Sequence, residues 1–356
     1  MAGKKEEKLS WDETLKKLDK DYGKGSVIHG SDIEKCTEVV STGSLGLDIA
    51  LGIGGIPATG KVIETYGWES SGKSTLAQII MGNFQRAYPK KKVILVDGEF
   101  ATDEKYATTL GVNLNELVLI QIDEHAGEGA YNKAQALIDT GEVSLVVYDS
   151  YNSLKPKKIV DGEIGEHNLG LHARMMDTVV AKASANGVKY GTNSLFIGQL
   201  REKIGVMFGS PETTQGGNAL RFYADIRLRV ARSLTTENSV MDGKEKIGNQ
   251  CSVKVEKSKF GAPFKKAEFN IIYGEGVDKY EELIRIGHDL GILKKYGETI
   301  TYEDNKTKLT EFTQLLIDND ELFEKIKKKI LIKCNILKAK EIKEETIKTE
   351  EKDGEV

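Results

Sequence analysis

The sequence predicts an α/β fold in which a central, mainly parallel sheet is covered by helices on both faces. Three observations carry that prediction. Residues Val93 to Asp97, Val143 to Asp149 and Ser194 to Gln199 are nearly continuous apolar runs, each ending in an acid or an amide. Runs of this kind suit central parallel strands buried on both sides, since a half-exposed strand would alternate. Helical segments lie between the runs, so strand and helix alternate along the chain. Finally, Val62 to Tyr66 reads as a short strand and Thr75 to Met81 as the start of a buried helix. The eight residues joining them are rich in glycine and serine.

Taken in order, residues 1–36 read as a separate N-terminal piece. Trp11, Leu15 and Leu18 recur at helical spacing within a charged segment. Tyr22 to Ser26 ends that helix, and Val27 and Ile28 start a strand. A short helix and strand outside a core form either an arm that packs on a neighbouring subunit or a flap on their own domain. Residues 37–273 carry the alternating core. Within it Phe222 to Val230, Cys251 to Lys259 and Lys266 to Tyr273 alternate more and read as antiparallel strands. Residues 274–337 read as a small α+β domain, with short lysine-rich helices over 280–335 that include Lys325, Lys327, Lys328 and Lys329. Residues 338–356 form a charged tail short of large apolar residues, expected to be disordered.

Composition narrows the class. The 356 residues are 39% hydrophobic and 30% charged, ordinary for a soluble globular protein with one large core and a small second one. A net charge of −4 excludes a generally basic coat, so any nucleic-acid binding comes from local patches or loops. Cys36, Cys251 and Cys334 lie far apart with no C-x-x-C spacing, which argues against a disulfide framework or a zinc site and for a reducing, cytoplasmic compartment. The first residues lack an apolar h-region, and no run reaches transmembrane length.

The chemistry begins at Gly67-Trp68-Glu69-Ser70-Ser71-Gly72-Lys73-Ser74, which fits the phosphate-cradling pattern G-x-x-x-x-G-K-S/T. Strand, loop and helix occur in the order that pattern needs. Its glycines permit backbone angles and close approaches that other residues resist. Successive N–H groups at the helix start, up to Thr75, then point at phosphate oxygens. Lys73 is expected to reach the β- and γ-phosphates of a nucleoside triphosphate, and the Ser74 hydroxyl to hold Mg²⁺. Asp149, ending a central strand, is placed for the same ion through a water, or else caps the helix that follows. Glu99, just beyond Asp97, can orient or deprotonate an attacking water. Gln199 ends the third strand, where a neutral hydrogen-bonder can sense the γ-phosphate. Lys257 and Lys259 stand two apart on a strand and leave the same face. They are either a solvated charge pair or a second set of phosphate contacts, across a subunit boundary.

These motifs coincide in one family. The chain resembles bacterial RecA, the ATP-dependent recombinase that forms helical filaments on single-stranded DNA. The resemblance runs from about Tyr22 to Tyr280. Tyr22 to Ser26 and Ser41 to Gly52 look like the family's N-terminal signatures, and Glu69 to Lys73 is its P-loop wording. Gly162 to Gly165 and Ala173 to Met176 resemble its first DNA loop, about 160–170, and the helix that follows. Ile204 to Gly209, Pro211 to Thr214 and Gly216 to Leu220 resemble its second, about 200–217. The glycines and proline between Gly205 and Gly217 argue against a packed element there.

The resemblance implies a residue-by-residue assignment. Glu99 activates water, Asp103 and Tyr106 contact adenine, and Gln199 links the γ-phosphate to the second loop. Lys257 and Lys259 reach the neighbouring subunit's ATP. Arg174, Arg201, Gly216, Gly217 and Asn218 contact DNA phosphates. Ile204, Met207 and Phe208 form the apolar part of the loop, with Ile204 inserting between base triplets. Arg221 and Phe222 sit at the subunit interface, and Val27 and Ile28 pair with the next protomer's sheet. The implied partners are single-stranded DNA, homologous duplex DNA and further copies of the chain. A LexA-like repressor and single-strand-binding or loader proteins join the partners to be tested. The implied activity is DNA-stimulated ATP hydrolysis with homologous pairing and strand exchange, and the alternative is a hexameric helicase-type motor. The chain departs from the family pattern at Trp68 for Pro, Ser74 for Thr, Arg221 for Lys and His167 to Leu169 in the first loop.

Overall fold

The structure is a computed structural model that describes residues 9–23, 27, 38–99, 103–164, 166, 168, 170–202, 212–214, 216–233 and 239–337. Ile28, Ile204, Met207 and Phe208, the rest of the 203–211 segment and the 338–356 tail lie outside the described residues. The chain divides into two compact units, residues 1–37 and 38–356.

The first unit holds helix α1 (Trp11–Tyr22). Ser10 opens it with a capping box. Its hydroxyl accepts the Glu13 N–H at 3.3 Å while Glu13 Oε2 accepts the Ser10 N–H at 2.8 Å, satisfying groups the first turn leaves without partners. Gly23 stops the helix at φ 97°, a conformation glycine adopts without a Cβ clash. No residue of α1 is buried, and Trp11 is exposed. Val27 is exposed as well.

In the second unit, β1 (Val39–Val40) and β2 (Ile56–Pro57) pair antiparallel around α2 (Leu45–Leu51). Strand β3 (Val62–Gly67) leads into α3 (Lys73–Ala87), and β4 (Lys92–Asp97) into α4 (Glu104–Thr109). Then come β5 (Leu117–Gln121), α5 (Ala126–Ile138), β6 (Val143–Asp149), α6 (Lys157–Val160), α7 (Leu171–Tyr190) and β7 (Asn193–Glu202). β8 (Glu212–Thr214), α8 (Ala219–Tyr223), β9 (Ile226–Arg232), β10 (Ser239–Asp242), β11 (Glu245–Ser258), β12 (Lys266–Ile272) and β13 (Gly276–Val277) follow.

Together these build one sheet in the order β13-β12-β11-β9-β3-β7-β6-β4-β5, with β10 on β11 and β8 on β7. From β9 through β3 to β5 every neighbour is parallel, and from β9 outward to β13 every neighbour is antiparallel. The α/β fold with its mainly parallel sheet is thus as expected.

The apolar runs are continuous because the sheet has a core on each face. Val93, Leu95, Leu145, Val147, Leu195 and Ile197 point to the side of α3, with Leu76, Ile80 and Phe84. Ile94, Val96, Val146, Tyr148 and Phe196 point to the side of α5 and α7, with Tyr131, Met176 and Val180. Alternate residues face opposite layers, so both sets must be apolar.

One strand differs from the expectation. Phe222 to Val230 is not a single strand: residues 219–223 form α8, and β9 begins only at Ile226. Asp225 makes the turn, since its N–H donates to Val62 O at 2.8 Å and its carboxylate accepts the Val62 N–H at 2.9 Å. β9 also runs parallel to β3 while antiparallel to β11.

Beyond β13, α9 (Lys279–Asp289), the antiparallel β14 (Lys294–Tyr296), β15 (Thr299–Tyr302) and β16 (Asn305–Lys308), then α10 (Leu309–Asp318) and α11 (Asp320–Lys333) enclose a third core. Leu283, Leu293, Ile300, Phe312, Leu316, Ile326 and Ile330 fill it, joined by Leu45 from α2. The short helices expected over 280–335 are therefore interrupted by a small sheet. Glu282 of α9 is fully buried, and its carboxylate accepts from Ser44 Oγ at 2.7 Å and from the Leu45 and Gly46 N–H groups at 2.9 Å each. It thereby satisfies the N-terminus of α2.

Candidate functional site

Strand ends assemble the site. Register sets Gly67 beside Gln199, and Asp97 beside Asp149, which in turn faces Ile197. The carboxyl ends of β3, β4, β6 and β7 therefore line up along one edge.

The loop after β3 is shaped by what surrounds it. A Cβ on Gly67 would lie 2.1 Å from the Val230 carbonyl oxygen of β9, so no side chain fits there. Gly72 caps α3 at φ 95°, and Ser70 takes φ 54°. These left-handed positions curl the backbone over the start of α3. Lys73 is buried and its ammonium donates to the Trp68 carbonyl at 2.7 Å. Burial lowers its pKa, while Asp149, Glu99 and Glu69 act to raise it. Ser71 Oγ is buried with no hydrogen-bond partner among the described residues.

A cavity of about 230 Å³ opens over this loop, lined by Ser70 to Thr75 and by Tyr106, Arg232, Asn249, Cys251, Ile271 and Tyr273. The Thr75 and Tyr106 hydroxyls lie 3.1 Å apart. Asp103 supports Tyr106 from outside the cavity: it caps α4 by accepting the Tyr106 N–H at 2.9 Å. Arg232, Asn249 and Tyr273 had no signal in the parallel runs, because they come from β9, β11 and the turn just after β12. Asn249 Nδ2 donates to the Tyr273 hydroxyl. Cys251 donates to the Ser71 carbonyl at 3.4 Å, and burial pushes its thiol up to about 12, so it is an inert floor to the loop.

Below α3 a cavity of about 50 Å³ is lined by Ser74, Asp97, Glu99 and Asp149 among others. Burial pushes the Asp149 carboxyl up to about 6 against a hydrogen bond from Ser74, and the Glu99 and Asp97 carboxylates push it further. Crowded carboxylates beside a hydroxyl and a small cavity fit a hard cation. Two oxygen donors rather than a cage fit Mg²⁺, which keeps waters and shares substrate phosphates. The unpartnered Ser71 hydroxyl and the curled N–H groups fit the phosphates themselves.

Glu99 stands at the centre of a chain of hydrogen bonds. Its Oε1 accepts from Ser150 Oγ at 2.7 Å and from Gln199 Nε2 at 3.0 Å. Gln199 Oε1 accepts from Arg201 Nη2 at 3.1 Å. Arg201 lies on the part of β7 that pairs with β8, where Leu200, Arg201 and Glu202 face Thr214, Thr213 and Glu212. The chain thus runs from the acidic cavity into the hairpin that brackets residues 203–211.

The other expected residues fall in two places. Gly216 and Gly217 take φ 93° and 81°, and a Cβ on Gly217 would lie 2.9 Å from Ala173 Cβ, so they press against α7 near Arg174. Asn218 is the N-cap of α8. Lys257 donates to the Arg221 and Phe222 carbonyls at 3.0 and 2.8 Å, and Lys259 pairs with Asp225 at 2.8 Å. Both lysines therefore grip α8 and its exit, while Phe222 is 75% exposed.

One buried pair had no sequence signal. Glu64 of β3 is fully buried, paired with Arg227 Nε of β9 and accepting from the Tyr151 hydroxyl at 3.2 Å.

Known proteins resemble this chain over most of its length. The family model for the RecA N-terminal domain matches residues 9–278. Protein RecA of Streptococcus pyogenes serotype M28 (strain MGAS6180) is 44% identical over 340 residues, covering 94% of this chain and 88% of that protein. Protein RecA of Streptococcus equi subsp. zooepidemicus (strain MGCS10565) is 45% identical over 336 residues, 93% of this chain and 87% of that one. The likeness extends well beyond the Tyr22 to Tyr280 stretch that the motifs marked out.

Proposed function

The chain belongs to the RecA family, whose members are DNA-dependent ATPases of recombination and repair, and from that premise we propose how its own residues divide the work. The protein forms a helical filament on single-stranded DNA, hydrolyses ATP when DNA is present, and pairs and exchanges homologous strands. The relatives named above give the alternative of a hexameric helicase-type motor no support.

The backbone from Gly67 to Thr75 and the Ser71 hydroxyl hold the phosphates, and Glu69 and Ser70 complete the loop. Lys73 leaves the Trp68 carbonyl for the β- and γ-phosphates, and Asp103 and Tyr106 form the adenine side with Tyr273 beside them. Ser74 and a water of Asp149 hold Mg²⁺, which neutralises phosphate charge when bound. Glu99 orients and deprotonates the attacking water, held in aim by Ser150 and Gln199. Catalysis of this type rests on positioning and charge, so a displaced Glu99 is enough to silence the site.

Arg174, Arg201, Gly216, Gly217 and Asn218 take DNA phosphates, with Ile204, Met207 and Phe208 supplying apolar contacts to bases. Lys257 and Lys259 act on the neighbouring subunit's ATP across an interface that includes Arg221, Phe222, Val27 and Ile28. DNA that fixes this stacking then completes the site from outside. A LexA-like repressor and single-strand-binding or loader proteins are the proposed further partners, and the cytoplasm the proposed location. No helix among the described residues is long and apolar enough to cross a membrane.

The observation that carries this reading is the chain Glu99–Gln199–Arg201, which joins the proposed base to the hairpin. Steady-state ATP hydrolysis with no DNA, single-stranded DNA and duplex, beside Lys73→Ala, tests it. Strong stimulation by single strands, lost in the variant, is expected. DNA-independent turnover, or none, would overturn it.

A further inference from the structure

The P-loop touches the β7–β8 hairpin a second time, on the strand opposite Gln199. Trp68 is 40% exposed, and its indole Nε1–H donates to Glu212 Oε1 at 3.3 Å. The carbonyl of the same residue accepts the Lys73 ammonium at 2.7 Å. One residue therefore carries a bond to the phosphate-binding lysine and a bond to the base of the hairpin.

Glu212 is the first residue of β8 and pairs with Glu202 at the far end of the ladder. β8 joins the sheet through β7. The Glu212 carboxylate ties this strand elsewhere as well: both its oxygens accept from Arg229 Nη2, at 2.7 and 2.8 Å. Arg229 sits on β9 beside Tyr66 of β3, one residue before the P-loop begins. Glu212 is thus clamped to the sheet by Arg229 and approached from the P-loop by Trp68.

We propose that Trp68 is a positioning residue that couples occupation of the P-loop to the β8 side of the hairpin through Glu212, separately from the Gln199 link. The inference rests on the function proposed above, in which this hairpin carries DNA contacts. A triphosphate competes for the Lys73 ammonium and releases the Trp68 carbonyl. The backbone at Trp68 can then turn, and the indole on that backbone changes its bond to Glu212. Coupling of this kind is reciprocal: DNA that shifts Glu212 changes nucleotide affinity by the same factor.

The chain has two tryptophans, Trp11 and Trp68, so Trp11→Phe leaves Trp68 as the sole indole reporter. The test measures equilibrium binding of a slowly hydrolysed ATP analogue with and without an oligothymidylate. In the parent protein the oligonucleotide should tighten binding. Trp68→Phe keeps an aromatic ring on the backbone and removes the donor. It should shrink that tightening on the order of five-fold. Glu212→Gln should do the same, and the two together should be no worse than either alone. In the Trp11→Phe protein, DNA alone should shift Trp68 emission, and adding Glu212→Gln should abolish the shift. A purely structural Trp68 would not give that signal. Full tightening in Trp68→Phe, beside a tightened parent, overturns this proposal alone. A parent indifferent to DNA overturns the proposed function and this coupling with it.

Discussion

The pair Glu64–Arg227 offers a sharp test of how the site is held. Glu64 is 0% exposed on β3, three residues before the phosphate loop, and the Arg227 side chain is 13% exposed on β9. Arg227→Ala leaves a carboxylate in the sheet with, among the described residues, only the Tyr151 hydroxyl at 3.2 Å as a hydrogen-bond partner. Breaking a buried ion pair from one side costs about 3–5 kcal/mol, because the remaining charge has no compensation. The slight exposure of Arg227 places the expectation near the lower end, about 3 kcal/mol. For a unit spanning residues 38–356, at about 2.1 cal/mol/K of unfolding entropy per residue, that is a fall in melting temperature of roughly 4–5 °C. Arg227 also lies over the Tyr66 ring, 4.8 Å from its centroid, so the same change loosens the residue preceding Gly67. Thermal unfolding monitored by far-UV circular dichroism reads the loss. Replacing both partners, Glu64→Leu with Arg227→Met, should recover more than half of it, since no buried charge is then left. If Arg227→Ala melts within about 1 °C of the parent, a shift of under 1 kcal/mol, the pair is not what holds β3 against β9.

Three further outcomes follow from the geometry. Gly67→Ala should abolish nucleotide binding or unfold the loop, because its Cβ would stand 2.1 Å from Val230 O; calorimetric titration with ATP measures this. Tyr273→Ala should weaken ATP binding about 5- to 30-fold without changing the melting temperature, as its ring lines the loop cavity yet is 53% exposed. Glu282→Gln should flatten the pH dependence of stability. Burial pushes this carboxyl up to about 7 from an ordinary 4.5, against hydrogen bonds from Ser44, Gly46 and Leu45. The folded form therefore holds a proton that the unfolded form has lost. The contribution is full below pH 4.5, falls as pH rises to 7, and amounts to about 3 kcal/mol. Melting curves between pH 4.5 and 7.5, parent minus variant, report it.

Much of this molecule could be read along the chain. Val93 to Asp97, Val143 to Asp149 and Ser194 to Gln199 are central parallel strands because each residue must satisfy one of two cores. The phosphate loop was legible because its backbone angles demand particular residues at fixed spacing. What escaped was set by partners distant in sequence. Glu64 looks like a solvent-facing strand residue until Arg227, 163 positions on, is beside it. Arg232, Asn249 and Tyr273 reach the loop only because β9, β11 and β12 fold back past it. The break at Asp225 depends on its bonds to Val62, which no local pattern encodes. The β14–β16 sheet hides in a lysine-rich stretch where few residues, Ile300 and Tyr302 among them, point inward.

The account turns on the link from the acidic cavity to the hairpin, so ATP hydrolysis by Gln199→Ala, with and without single-stranded DNA, tests it most directly. Gln199 Nε2 donates to Glu99 and its Oε1 accepts from Arg201, at 3.0 and 3.1 Å, and alanine removes both bonds. The expected result is a DNA stimulation at least about tenfold weaker than the parent's. Stimulation at the parental level in this variant would contradict the account.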